Sequence, residues 1–238
     1  MNLTPDKLYN ILIKKNGPLY WWPIDKSYHK KNNSDSRFEI VVGAILTQNT
    51  AWSNVERALD NLKSENMLEI KKIKELNISK LRSLIKPSGF FNQKADRLKE
   101  ISDYLDNKYD GNLNEFFNRD INEIRNELLS INGIGPETAD SIILYAGCMP
   151  IFVVDAYTKR LCERIPFDTK LSYFEIQNYF QKELSKVYKS DELIKIYNEL
   201  HAQIVILGKN YCKKKPLCND CPLKDHCSFN IHIWRLKK

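Results

Sequence analysis

The sequence predicts an all-α fold in two helical lobes. Apolar residues recur at helical spacing in most segments of the chain. Gly and Pro number only 8 and 9 in 238 residues, so helices are rarely interrupted. No series of evenly spaced alternating segments marks a sheet. A break at residues 147–150 supplies a candidate lobe boundary.

The elements follow in order. Phe38-Glu39-Ile40-Val41-Val42-Gly43-Ala44-Ile45-Leu46 would pass for a strand by itself, but helical patterns at 53–63 and 70–76 follow it and decide for helix. Residues 32–36 form a polar loop before it. A short helix over 79–85 stops at Pro87 and Gly89. Residues 92–105 place Ala95, Leu98, Ile101 and Leu105 on one face. Two more helices occupy 113–118 and 121–129. Residues 138–146 are apolar on most faces and are expected at the centre. Helices over 156–165, 173–188 and 193–207 complete the set.

Composition narrows the function. Hydrophobic residues are 42% and charged residues 28%, an ordinary globular balance. The formal charge of +7 permits a polyanionic partner without requiring one. From residue 208 to the end, eight Lys/Arg stand against two Asp, so a net +6 lies in that stretch. No apolar run approaches the roughly 18 residues of a membrane span, and Met1-Asn2-Leu3-Thr4-Pro5-Asp6-Lys7 has no signal-peptide core. The expectation is a cytoplasmic, nucleoid-associated monomer with reduced thiols.

Three motifs carry chemistry. Ile131-Asn132-Gly133-Ile134-Gly135-Pro136-Glu137-Thr138 places two glycines around an aliphatic residue between helices. Glycine permits positive φ and close backbone approach, and a helix opening at Pro136 points free amides at the loop, where phosphate binds. Taken alone, the motif is equally a tight helix–helix turn. Asp155 follows the apolar run Ile151-Phe152-Val153-Val154 and precedes a helix, so by itself it reads as an N-cap. Cys212-x5-Cys218-x2-Cys221-x5-Cys227 is a compact set of four thiols, suited to zinc or to an iron–sulfur cube. Cys148 and Cys162 have no ligand-spaced partner and read as buried hydrophobes, and His201 as a core or surface residue.

Together these landmarks resemble the endonuclease III, or helix-hairpin-helix-GPD, superfamily of DNA glycosylases. Two upstream stretches join them, Gly43-Ala44-Ile45-Leu46-Thr47-Gln48-Asn49-Thr50 and Lys86-Pro87-Ser88-Gly89-Phe90-Phe91-Asn92-Gln93-Lys94-Ala95, so the resemblance covers roughly residues 38–230. It implies a six-helix barrel over 35–146 that contains the hairpin at about 128–146. Residues 1–34 and 147–238 would form a second lobe with the cluster loop 212–227. Gly133, Ile134 and Gly135 would hold the DNA backbone, and Asp155 would be the catalytic carboxylate. Gln48 and Phe90 would enter the duplex, with Lys86, Lys94 and Arg97 near phosphate. Cys212, Cys218, Cys221 and Cys227 would hold a [4Fe–4S] cluster, with zinc the alternative occupant. The first cysteine gap has five residues where the family usually has six.

Two departures refine the activity. Bifunctional members place a lysine nucleophile where Glu137 stands. A carboxylate forms no Schiff base, so a monofunctional enzyme without vigorous AP lyase activity is implied. Tyr20-Trp21-Trp22-Pro23 and Trp52 resemble the 3-methyladenine DNA glycosylase branch, in which Trp21, Trp22 and Trp52 would line the pocket for a damaged base flipped from double-stranded DNA. An alkylated, cationic base is attracted to an indole face. The alternatives are a glycosylase/lyase for oxidised pyrimidines, uracil or mismatched thymine, and a non-catalytic damage-binding module.

Overall fold

The computed structural model describes residues 3–229, and every regular element among them is helical. In order, α1 is Pro5–Asn16, α2 Lys26–Asn32, α3 Ser36–Leu46, α4 Trp52–Ser64, α5 Ile70–Glu75, α6 Ile78–Leu84 and α7 Phe91–Tyr109. Then come α8 Leu113–Phe117, α9 Ile121–Ser130, α10 Pro136–Ser141, α11 Ala156–Arg164, α12 Tyr173–Ser185 and α13 Ser190–Asn210. A 3-10 turn at Lys86–Ser88 precedes α7, and α10 runs on into a π turn at Ile142–Ala146. The chain forms two compact units: Trp22–Met149, and the chain on either side of it. The sequence reading placed those boundaries at 35 and 146. Among the described residues no helix is long and apolar enough to cross a membrane.

Several short helices are started by Asx caps. Asp25, Asp35, Asn77, Asn112 and Asp120 accept amide bonds from the first turns of α2, α3, α6, α8 and α9. Each such cap stabilises its helix by about 1 kcal/mol.

In the Trp22–Met149 unit, α3 is the core element. Every residue from Phe38 to Leu46 is buried, which accounts for its unbroken apolar run. It packs against α4, α7, α10 and the π turn. The sequence reading missed α1 and α2. The first carries its signal in only two buried positions one turn apart, Leu8 and Leu12, behind Pro5. The second, KSYHKKN, has no apolar periodicity at all. A tertiary bond secures it: His29 Nε2 lies 2.9 Å from Glu39 Oε2 of α3, both side chains buried, and the Asp25 amide donates to the same oxygen at 3.0 Å.

In the other unit, α13 packs against α1, α11 and α12. Residues 151–154 are buried outside any regular element, and no neighbouring strand satisfies their backbone among the described residues. Two glutamines of α12 do so instead. Gln181 Oε1 accepts from the Phe152 amide at 2.9 Å, and Gln177 Nε2 donates to the Phe152 carbonyl at 2.7 Å. This anchorage delivers Asp155 to the start of α11. The other side of α11 is set by Gly208 of α13, where an added Cβ would run into Cδ1 of Tyr157. Gly208→Ala should therefore push α11 away from α13 and destabilise the protein by about 1–3 kcal/mol, read as a lower denaturant midpoint.

Candidate active site and cysteine loop

Asp155 both caps α11 and is held as an anion. Its Oδ1 accepts from the Thr158 amide at 2.7 Å and from the Thr158 hydroxyl at 2.9 Å. His201 of α13 brings Nε2 within 3.7 Å of Oδ2. The residue is 7% exposed. Burial pushes its carboxyl up, but His201 and Thr158 outweigh burial and hold it below the ordinary carboxylate range. A carboxylate ionised in a dry setting can stabilise developing positive charge.

The hairpin joins α9 to α10. Gly133 sits at φ 78°, and a Cβ there would strike Nε of Arg97. Ile134 is buried, as a plug between helices must be, and its amide donates to the Ile131 carbonyl at 3.1 Å. Pro136 opens α10, and Glu137 occupies its first turn, so an acidic residue faces the positive end of the helix.

Two side chains expected to enter a duplex have different settings. Phe90 is 62% exposed, with its backbone in the left-handed region at φ 46°, at the start of α7. An aromatic residue kept both exposed and in a disfavoured backbone conformation is the reverse of core packing. Gln48 is tied down: Nε2 donates to the Gly133 carbonyl at 3.0 Å and to Thr138 Oγ1 at 2.9 Å, while Arg97 Nη1 donates to Oε1. Entry into DNA requires exchange of these bonds. Lys94, read from sequence as a phosphate contact, is instead 1% exposed. Its ammonium donates to the Leu46 and Ser88 carbonyls, and burial, with Arg97 nearby, lowers its pKa to about 8.

The aromatic residues also separate. Trp22 and Trp52 meet edge to face with ring centroids 5.1 Å apart, and Tyr145 of the π turn packs on Trp22 at 5.2 Å. Gly43 makes room for this group, because a Cβ there would lie 2.9 Å from the Trp22 ring. Trp21 is half-buried and belongs to the other unit.

Cys212, Cys218, Cys221 and Cys227 line one cavity together with Arg164, Tyr211, Pro216, Lys224 and Phe229. Among the described residues no three His, Cys, Asp or Glu side chains converge on a single ion position. Arg164 of α11 ties the loop down: Nη1 donates to Cys212 Sγ at 3.1 Å and to the Lys213 carbonyl at 2.8 Å, and its own carbonyl accepts from Ser228 Oγ at 3.0 Å. Burial, reinforced by the other three cysteines, pushes the Cys221 thiol up to about 11. Cys162 is buried as expected and its thiol is pushed up to about 12 by burial. Cys148 corrects the sequence reading: it is exposed, at φ 49° after Gly147. Arg235, Lys237 and Lys238, part of the basic excess, lie outside the described residues.

A profile of the HhH-GPD superfamily of base excision DNA repair proteins matches residues 42–186. The chain belongs to this superfamily. A relative in Methanocaldococcus jannaschii, "Putative DNA repair glycosylase MJ1434", is 47% identical over 93% of this chain and 94% of its own length. Endonuclease III of Thermotoga maritima is 28% identical over 87% of this chain and 89% of its own length. The crystal structure of the Helicobacter pylori 3-methyladenine DNA glycosylase MagIII bound to 1,N6-ethenoadenine is 31% identical, with a TM-score of 0.73. It covers 87% of this chain and 98% of that one.

Sequence reasoning missed Tyr145 and Arg164, and it read Lys94 as a phosphate contact and His201 as a core or surface residue. Arg164 carries no motif of its own, since an arginine in a polar stretch signals only surface. The 46-residue separation of His201 from Asp155 is closed by the packing of α11 on α13. Because the folded pKa of Asp155 is lowered, its contribution to stability is complete above the unfolded value of about 3.9 and is lost as pH falls through the lower folded value. Asp155→Asn keeps a capping residue but cannot titrate. Below about pH 4 the melting temperature of the wild type should fall faster than that of the variant.

Proposed function

We propose that the protein is a monofunctional DNA glycosylase that hydrolyses the N-glycosidic bond of alkylated bases of the 3-methyladenine type. The observation that carries this reading is the buried, ionised carboxylate of Asp155 at the head of α11. As the bond between C1′ and the base nitrogen breaks, its electron pair leaves with the base and positive charge builds on the sugar. Asp155 stabilises that charge and orients the water that adds to C1′. A base alkylated at a ring nitrogen is already cationic, so it departs neutral and needs little protonation. The group formed by Trp22, Trp52 and Tyr145 favours such a base through its ring faces, an interaction of about 2 kcal/mol when desolvated. That corresponds to a preference of about thirtyfold over a neutral base. The likeness to the H. pylori enzyme supports the same substrate class.

Glu137 in the first turn after the hairpin supports a hydrolytic rather than a lyase route, since it offers no amine. The hairpin residues Gly133, Ile134 and Gly135 position the backbone, and Phe90 and Gln48 fill the space left by the extruded base.

Cys212, Cys218, Cys221 and Cys227, which line one cavity, would be the ligands of a [4Fe–4S] cluster. Bound there, the cluster would supply a structural cross-link for the loop. Arg164 would face it with a charge-assisted N–H···S bond to Cys212.

A panel of duplexes, each with one lesion, tests the function. Wild type should release alkylated purines and leave abasic sites that break only in hot alkali. Asp155→Asn should keep DNA binding and lose at least about 10²-fold in single-turnover rate. Strand cleavage without alkali, trapped by borohydride, would replace this reading by a glycosylase/lyase; no release from any lesion would replace it by a damage-binding module. Protein purified without air should carry about four irons per chain; stoichiometric zinc would overturn the cluster.

A further inference from the structure

Lys94 occupies an expensive position. Its charge is withdrawn from water inside the Trp22–Met149 unit, where an apolar side chain would span the same space without a desolvation penalty. What an apolar side chain cannot do is donate to two main-chain carbonyls. Lys94 Nζ donates to Leu46 O at 2.8 Å and to Ser88 O at 2.7 Å. Leu46 ends α3, and Ser88 ends the 3-10 turn before α7. Both carbonyls stand at helix ends, where intrahelical donors run out and a cation is favoured.

The two anchored carbonyls share a further property. Gln48 follows Leu46 by two residues, and Phe90 follows Ser88 by two. One ammonium therefore holds the roots of both segments expected to enter the duplex. Farther along α7, Arg97 donates to Gln48 Oε1, and Gln48 in turn bonds to the hairpin at Gly133 and Thr138. Three residues on again, Glu100 Oε1 accepts from the hairpin amide of Asn132 at 3.0 Å. Lys94, Arg97 and Glu100 thus hang three separate segments from a single helix.

We propose that Lys94 is a positioning residue for base extrusion, holding the Gln48 and Phe90 segments at one fixed separation so that both act on the same base-pair step. This rests on the reading above that Gln48 and Phe90 enter the DNA. Without the ammonium the two main-chain roots lose their shared anchor, and only the side-chain bond from Arg97 to Gln48 still ties the Gln48 segment to α7. Extrusion of a paired base then suffers, while removal of a base that is already unpaired does not.

The test uses the full chain and Lys94→Met, which keeps the length of the stem and removes the donor. Duplexes carrying one alkylated base, with 2-aminopurine beside it, are prepared in a paired form and in a form whose lesion lies in a single-base bulge. On the paired lesion, Lys94→Met should lose on the order of a hundredfold in single-turnover rate, the scale of an ångström-sized misplacement. The 2-aminopurine fluorescence rise should fall with it. On the bulged lesion the loss should be only a few-fold. Equal loss on both duplexes, or no loss on either, overturns the proposal. Should Lys94→Met not fold, Lys94→Gln decides, because its amide retains two donors on a shorter stem and should fall between wild type and the hundredfold loss on the paired lesion only. The fluorescence is also read with Asp155→Asn present, which extrudes a base without releasing it. A wild type that gives the fluorescence rise but no base release would refute the Asp155 chemistry and leave Lys94 standing. Release that is normal in Lys94→Met would do the opposite.

Discussion

A carboxylate taken out of water must be met by donors, and the unit outside Trp22–Met149 is arranged around that demand at Asp155. Thr158 supplies an amide and a hydroxyl from the first turn of α11, and His201 approaches from α13. His201 reaches the carboxylate because α11 and α13 lie close, an approach that Gly208 permits. The buried residues before Asp155 are held outside any regular element because Gln177 and Gln181 satisfy the Phe152 backbone. A cap is favoured by negative charge at a helix N-terminus, so the carboxylate that caps α11 is also the one the proposed chemistry would use.

The Trp22–Met149 unit meets a different demand with the opposite charge. Three segments of this unit, which the proposed function would bring to one substrate, are joined to α7 by side chains that bond to main-chain atoms. Lys94 takes the two segments that bear Gln48 and Phe90, and Glu100 takes the hairpin amide of Asn132. Main-chain anchoring leaves Phe90 free of packing, and it stands exposed in a left-handed conformation. Rigid roots with adaptable tips suit a surface that must grip a backbone and push into a stack.

The cysteine loop belongs to the same logic. Its basic residues, Lys213, Lys214 and Lys215, would repel one another on an unsupported loop. Arg164 fixes the carbonyls of Lys213 and Lys214 from α11, the helix capped by Asp155. The HhH-GPD superfamily is one of base excision DNA repair proteins, so DNA is the polyanion that the basic excess would meet.

Much of this protein was legible in its residues. Helical spacing located most of α4 to α13, and the helices that follow it decided the wholly apolar α3. The hairpin glycines, Asp155 and the four cysteines declare themselves because their chemistry depends on spacing within a few residues of chain. What remained hidden depends on contacts between segments far apart. α2 lacks periodicity and is held through His29 on Glu39. Cys148 looked like a hydrophobe and is exposed. Lys94 looked like a surface cation, and only the meeting of α3, the 3-10 turn and α7 turned it inward. The sequence by itself determined which local groups exist: caps, glycine turns, thiol spacings and the family they signal. The tertiary structure alone decided which distant groups share a charge or a donor, because an ion's partners and its hydration depend on distance and burial, and neither is written along the chain.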